Sequence, residues 1–223
     1  MKDNFLKNNL NLNETIAKDL FKNVCYPWEV LPNISQFIRA LGNLLPKDKF
    51  DLVDDGIFIA KNAKVAKSAC LMGPTIIDEY AEVRHCAFIR GSVIVGKNAV
   101  IGNSTELKNS IIFNSVQIPH YNYVGDSILG YKSHMGAGSI TSNVKSDKSL
   151  IEVNFDGTKL KTGLKKFGAV VSDYVEIGCN SVLNPGTIIG KNTSVYPLSS
   201  VRGFVGENLI YKSRDNIIKK LSI

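Results

Sequence analysis

Cysteine and histidine are scarce, at four and three residues in 223. Cys25, Cys70, Cys86 and Cys179 are widely spaced and form no C-x-x-C pair, which excludes a zinc ribbon and a disulfide framework. Free, mostly buried thiols in a reducing compartment are expected. His85, His120 and His134 lack the spacing of a three-histidine zinc site of the γ-carbonic-anhydrase kind, so no metal is expected. No apolar run reaches the length of a membrane span, and Met1-Lys2-Asp3-Asn4 opens no apolar signal core. Neither a membrane partner nor secretion is expected, and a cytoplasmic location is. A surplus of 27 Lys and Arg over 20 Asp and Glu leaves +7, but the charges are scattered without an aromatic–basic motif. That argues against nucleic acid and fits a basic site for a phosphorylated small molecule.

What is present is a repeat. Stepping by six from Ile59 gives Val65, Leu71, Ile77, Val83, Ile89, Val95, Ile101, Leu107 and Phe113. At 44% apolar composition such a run arises about three times in ten thousand per frame. Four positions after these residues come Ala63, Ala69, Thr75, Ala81, Ala87, Val93, Ala99 and Thr105, nearly all small, and the rule resumes at Ile177, Leu183, Ile189, Val195 and Val201. A period of six fits neither a helix nor simple strand alternation. It requires a short strand and then a sharp corner, repeated into a solenoid whose coils stack at about 4.8 Å.

The rest of the chain reads differently. Residues 1–54 predict a helical appendage. Asn13 is expected to cap one short helix carrying Ile16, Leu20, Phe21 and Val24 on one face. Asn33 and Gln36 are expected to open another, with Ile34, Phe37, Ile38, Leu41, Leu44 and Leu45 inward. Residues 55–205 form the solenoid, interrupted at about 142–166. There Ile151, Val153 and Phe155 alternate up to Asp156-Gly157, which predicts a projecting hairpin arm. Within 206–223, Tyr211 to Leu221 is expected to form a closing helix.

Arg90 and Lys108 are one coil apart by this count and should sit one above the other. Stacked like charges repel, and a phosphate between them reverses the sign; the alternative is that both point into water. Twelve residues after Lys108 the aliphatic position is Pro119 and the pattern breaks at Pro119-His120-Tyr121-Asn122-Tyr123-Val124-Gly125-Asp126. A histidine there is a candidate base.

The hexads resemble those of the bacterial transferase hexapeptide family. That resemblance implies an all-β, left-handed parallel β-helix of hexapeptide repeats with a small helical N-terminal appendage and a C-terminal helix, assembled as a homotrimer. Over roughly residues 85–214 the motifs are similar to the acetyltransferase domain of bifunctional N-acetylglucosamine-1-phosphate uridyltransferases. Met135-Gly136-Ala137-Gly138-Ser139-Ile140-Thr141-Ser142-Asn143 resembles that family's I-G-A-G-T-I-T-C-N, and Gly206-Glu207-Asn208 with Ser213-Arg214 resembles its tail. The resemblance implies that Arg90 and Lys108 hold a sugar phosphate, Tyr123 contacts the sugar, His120 is the general base and Asn143 positions the amine. It also implies that Gly136, Ala137, Cys179 and Arg214 line the acetyl-CoA site, with acetyl-CoA as cosubstrate. Lys161, Lys165 and Lys166 are alternatives for the family's substrate lysine. His134 replaces a sugar-contacting asparagine, Val144-Lys145-Ser146 replaces Tyr-Asp-Gly, and Tyr196-Pro197-Leu198 stands where small residues are usual.

Phe167-Gly168-Ala169-Val170-Val171 and Tyr26-Pro27-Trp28-Glu29 resemble the β-helical tails of archaeal-type sugar-nucleotide enzymes and the linker before them. No G-x-G-T-R-M loop occurs, so pyrophosphorylase chemistry is not expected of these residues. The expected function is N-acetyl transfer to an amino-sugar 1-phosphate. The alternative is a non-catalytic sugar-phosphate-binding or regulatory β-helix.

Overall fold

The computed structural model describes residues 8–155 and 157–221. Short parallel strands stack into three faces of a solenoid. On the first face Val83 pairs with Ile101 and Ile101 with Ile118. On the second, Ile89, Leu107, Val124 and Thr141 follow one another, and on the third, Ile77, Val95, Ile112, Leu129, Val171 and Ile189. These residues form the inner column and are almost wholly buried. Burial of each aliphatic contributes on the order of 1.5–3 kcal/mol, so the periodic residue is what holds one coil to the next.

Corners are turned by left-handed residues three positions after the inner aliphatic, such as Asn98, Ser104, Asn180 and Asn192. Asparagine adopts that conformation more readily than most residues. The small residue that follows, Ala99, Thr105, Ser181 or Thr193, is buried inside the bend.

The count of six fails twice. Ile112, not Phe113, is the inner residue in register with Val95, and Leu129 follows Val124 after five residues. Each shortened corner lets one strand run through the bend, as Glu106–Ile112 and Tyr123–Leu129. The shift also corrects the reading at Pro119: Ile118 is the buried inner residue, and the repeat is unbroken there. Gly102 lies under this segment because a Cβ on it would collide with the Pro119 carbonyl.

The third face is apolar outside as well as inside. Phe58, Ile76, Ile94, Ile111, Ile128, Val170, Ile188 and Phe204 form a continuous outer row. The N-terminal appendage covers most of it. Helix Ile34–Gly42 lies over the strands at Thr75–Ile77 and Val93–Val95, and Phe21 packs edge-on against Phe113 at 6.1 Å. Trp28 stacks on Tyr26 and packs against Phe167. Asn11 rather than Asn13 caps the first turn, with its side chain accepting from the Asn13 N–H. Asn33 makes no side-chain cap, and Leu44 is exposed, because the helix ends at Gly42 before that residue can face inward.

The arm pairs Glu152–Phe155 with Thr158–Lys161 antiparallel, and Gly157 has φ of 79°, while Asp156 lies outside the described residues. It does not project. Ile151 and Val153 are buried and Phe155 packs on Phe204, so the arm folds back over the lower third face. An apolar row of that length would otherwise be left in water. The closing helix is also absent. Leu209–Ser213 continues the first face and pairs antiparallel with Asn216–Lys219. Tyr211 sits six residues after Val205 and takes an inner position, and this hexad period prevails over helical spacing. All four cysteines are exposed: Cys70 precedes the inner Leu71, and Cys86 and Cys179 lie at corners.

Candidate active site

The second face lies between two corners that carry most of the expected site residues. At the far corner Arg90 and Lys108 are stacked as the spacing predicts, since Phe88 and Ile89 are in register with Glu106 and Leu107. They do not repel uncompensated. Arg90 Nη1 donates to Glu106 Oε1 at 2.6 Å, and Lys108 Nζ lies 3.2 Å from Asp126 Oδ2. Glu106 holds the Arg90 guanidinium charged above its ordinary range. The charge argument from sequence missed Glu106 because it lies two residues from Lys108, on the same strand and side.

Asp126 is the hub. It is buried and left-handed in the shortened corner, and it accepts from Lys108, from Asn109 Nδ2 at 2.9 Å and from Asn143 Nδ2. Asn143 Nδ2 also donates to the Tyr123 hydroxyl at 3.2 Å. Burial first, and then the carboxylates of Asp126 and Glu106, raise the Tyr123 pKa, so its phenol keeps its proton. Gly125 makes room for this contact, since a Cβ there would collide with the Tyr123 hydroxyl and crowd Asn143.

The chain returning from the arm is tied to the same hub. Phe167 N–H donates to the Asn143 carbonyl at 3.0 Å and Gly168 N–H to that of Asp126 at 2.8 Å. Lys165 and Lys166 are exposed immediately before this anchor, whereas Lys161 lies out on the arm.

His120 occupies the near corner. Its ring is exposed and has no partner among the described residues, while its backbone is fixed on both sides. His120 N–H donates to Asn122 Oδ1 at 3.1 Å, and its carbonyl accepts from Gly138 at 3.0 Å. Buried Asn122 spends its amide on Gly136 and Ser139, clamping this rung to the next. Sequence reasoning gave Asn122 no role, because its burial follows from where the strand bends.

Further along this corner, Asn180 N–H donates to the Ala137 carbonyl and Leu198 N–H to that of Cys179. His120, Ala137, Cys179 and Pro197 therefore follow one another along one edge, with Leu198 next to the last. Gly136 and Gly138 N–H groups are engaged by Ile177 and His120, and the Ala137 N–H has no acceptor among the described residues.

Two expected residues lie elsewhere. His134 is on the first face, around the near corner, with Nδ1 2.9 Å from Glu176 Oε2. Arg214 sits in the C-terminal turn and lines a cleft with Arg202 and Lys145.

A family model described as the GMPPB C-terminal domain matches residues 71–188, which spans both corners. The chain belongs to the GMPPB C-terminal domain family. Among curated relatives, the bifunctional protein GlmU of Methanococcus vannielii is 34% identical over 200 residues, covering 87% of this chain and 47% of that protein. A bifunctional sugar-1-phosphate nucleotidylyltransferase/acetyltransferase of Sulfurisphaera tokodaii is 30% identical over 189 residues, covering 76% and 47%. The chain thus spans about half the length of these relatives. The solved structure of the polySia-specific acetyltransferase NeuO is similar at 15% identity and a TM-score of 0.46, over 75% of this chain and 88% of that one.

Proposed function

We propose that this chain is an N-acetyltransferase that moves an acetyl group from acetyl-CoA to the amine of an amino-sugar 1-phosphate resembling glucosamine-1-phosphate, acting as a homotrimer. The observation that carries the reading is the cluster of Arg90, Lys108, Tyr123, Asp126 and Asn143 on one face, with His120 at the adjoining corner. The names of the GlmU relatives and of the Sulfurisphaera enzyme agree with it.

In this mechanism the sugar phosphate draws Arg90 and Lys108 partly away from Glu106 and Asp126, exchanging one charge-assisted contact for another. Tyr123 and Asn143 hold the sugar, and acetyl-CoA lies along the edge of Ala137 and Cys179. The amine attacks the thioester carbonyl, forming C–N as C–S breaks. His120 takes the ammonium proton and passes it to the departing sulfur. The Ala137 N–H faces the oxyanion.

A second reading, a binding or regulatory β-helix without turnover, is favoured by one observation: each cation of the cluster already has a carboxylate partner. Thiol release from acetyl-CoA with a panel of amino-sugar phosphates separates the two. Under the first, His120→Ala lowers kcat by about 10²–10⁴ with acetyl-CoA binding retained. His134→Asn shifts substrate preference. Wild-type turnover in His120→Ala with loss in His134→Asn would move the base to His134. No thiol release with any amino sugar would leave the binding reading.

A further inference from the structure

Asn122 departs from the other residues at its place in the near corner. The small residue that closes this bend is Ala87, Thr105, Asn122, Ser139 and Ser181 on successive coils, since the strands that follow them are in register. Thr105 Oγ1 donates to the Ile118 carbonyl at 3.2 Å and Ser181 Oγ to that of Tyr196 at 3.1 Å, so each hydroxyl reaches the coil after its own. Asn122 makes that contact with Nδ2, at 2.8 Å to the Gly136 carbonyl and 2.9 Å to that of Ser139. It also reaches back along its own coil, where Oδ1 accepts from the His120 N–H at 3.1 Å. A hydroxyl suffices for the first contact. Making both takes an acceptor and a donor on separate atoms, which an amide has.

What the amide joins is the chemistry of two coils. On one side is His120, and on the other is the Gly136–Ser139 turn that carries the Ala137 N–H. The Gly138 N–H donates to the His120 carbonyl at 3.0 Å, a second tie between the same two segments, and the Asn180 N–H holds the Ala137 carbonyl at 2.9 Å. We propose that Asn122 is a positioning residue that keeps the base and the oxyanion donor in one frame. The inference rests on the acetyl-transfer reading above, in which the amine and the thioester must fit between those two groups. At 3% exposure Asn122 offers almost no surface to either substrate, so its effect falls on the transition state through its neighbours.

Thiol release and melting curves are compared for the parent, Asn122→Ala, Asn122→Thr, His120→Ala and the Asn122→Ala/His120→Ala double variant, each assayed well below its melting temperature. Asn122→Ala should lower kcat about 10- to 100-fold and leave KM for both substrates within about twofold. Asn122→Thr keeps the contact with the next coil, as Thr105 does, and should melt near the parent with kcat between the two. It carries the same test if Asn122→Ala does not fold. The double variant should be no slower than His120→Ala alone, because placing the base stops mattering once the base is gone. A residue that merely stabilised the corner would move the melting temperature and leave kcat of the folded enzyme alone. Parent kcat in folded Asn122→Ala, a loss confined to KM, or losses that add in the double variant would overturn the proposal and leave acetyl transfer standing. No thiol release by the parent would overturn the acetyl-transfer reading, and the role of Asn122 with it.

Discussion

Asp126 shows how one residue decides what the far corner does. Its two oxygens accept from Lys108, Asn109 and Asn143, and its backbone carbonyl holds Gly168. Asp126→Ala would strand a half-buried lysine and two amides, and a stability loss of about 2–4 kcal/mol by denaturant unfolding is expected. Asp126→Asn, which keeps the acceptor and loses the charge, should cost less. Gly125→Ala probes geometry instead of charge. A Cβ there meets the side chains of Tyr123 and Asn143, so both must shift. Turnover on the amino-sugar substrate should fall about 10- to 100-fold while the melting temperature changes little. Substrate KM against kcat, measured beside a melting curve, checks it. Arg90 and Lys108 were legible as a stacked pair because they lie one coil apart, whereas the His120 loop drew notice through a break in the count that the structure removes, since Ile118 is the inner residue. Glu106 and Asn122 were not, since partner choice at a corner depends on where a strand bends and no period records that.

Among the elements, the inner columns were written in the sequence and the outer ones were overlooked. The runs Thr75-Ile76-Ile77, Val93-Ile94-Val95 and Thr187-Ile188-Ile189 carry an apolar middle residue that a single-sided hexad does not need. Those middle residues are the outer row, and the appendage and arm exist to cover it. The shortened corners escaped notice because Phe113 is apolar and buried too, but against Phe21 of the appendage. The arm was found by its alternation. Its direction was not, because the face it covers was not recognised as apolar. Trp28→Ala should cost about 3–5 kcal/mol and, by freeing Phe167, raise amide exchange at Phe167 and Gly168 next to the site. Hydrogen exchange read by mass spectrometry reports both.

The corner at Asp78 predicts a pH effect. This aspartate is buried, Oδ1 accepts from the Glu79 N–H at 2.7 Å, and Oδ2 has no hydrogen-bond partner among the described residues. Burial raises its pKa above the ordinary 3.8, outweighing the pull of Lys97 and Lys49. A carboxyl whose folded pKa exceeds its unfolded one favours the fold when protonated and loses that contribution as pH rises through the folded value. Asp78→Asn should therefore gain melting temperature relative to the parent between about pH 3.8 and neutrality, and gain none below it. A flat difference across that range would mean the carboxyl is not strained by burial.

At the scale of the whole molecule, cover is uneven, and that unevenness carries the last prediction. The third face is sheathed by the appendage and arm, while the near corner and the faces beside it carry no cover from the described residues. Tyr121, Tyr196 and Leu198 line that corner in large part exposed, Leu198 at 80%. Single apolar residues on a surface are ordinary, but three along one edge beside the His120–Ala137–Cys179 row are a surface awaiting a partner. A second copy of the same chain is the partner that fits, and closed rotational symmetry satisfies every copy equally. A homotrimer is expected by light scattering at micromolar concentration. Leu198→Lys/Tyr121→Lys should yield a folded monomer, its β-rich circular dichroism unchanged because neither side chain reaches the inner column. Turnover should fall together with the trimer if acetyl-CoA lies between subunits, and it should recover on raising protein concentration if assembly alone is impaired. A stable, fully active monomer at micromolar concentration would place the whole reaction within one chain, and the exposed edge would then have to serve something other than catalysis.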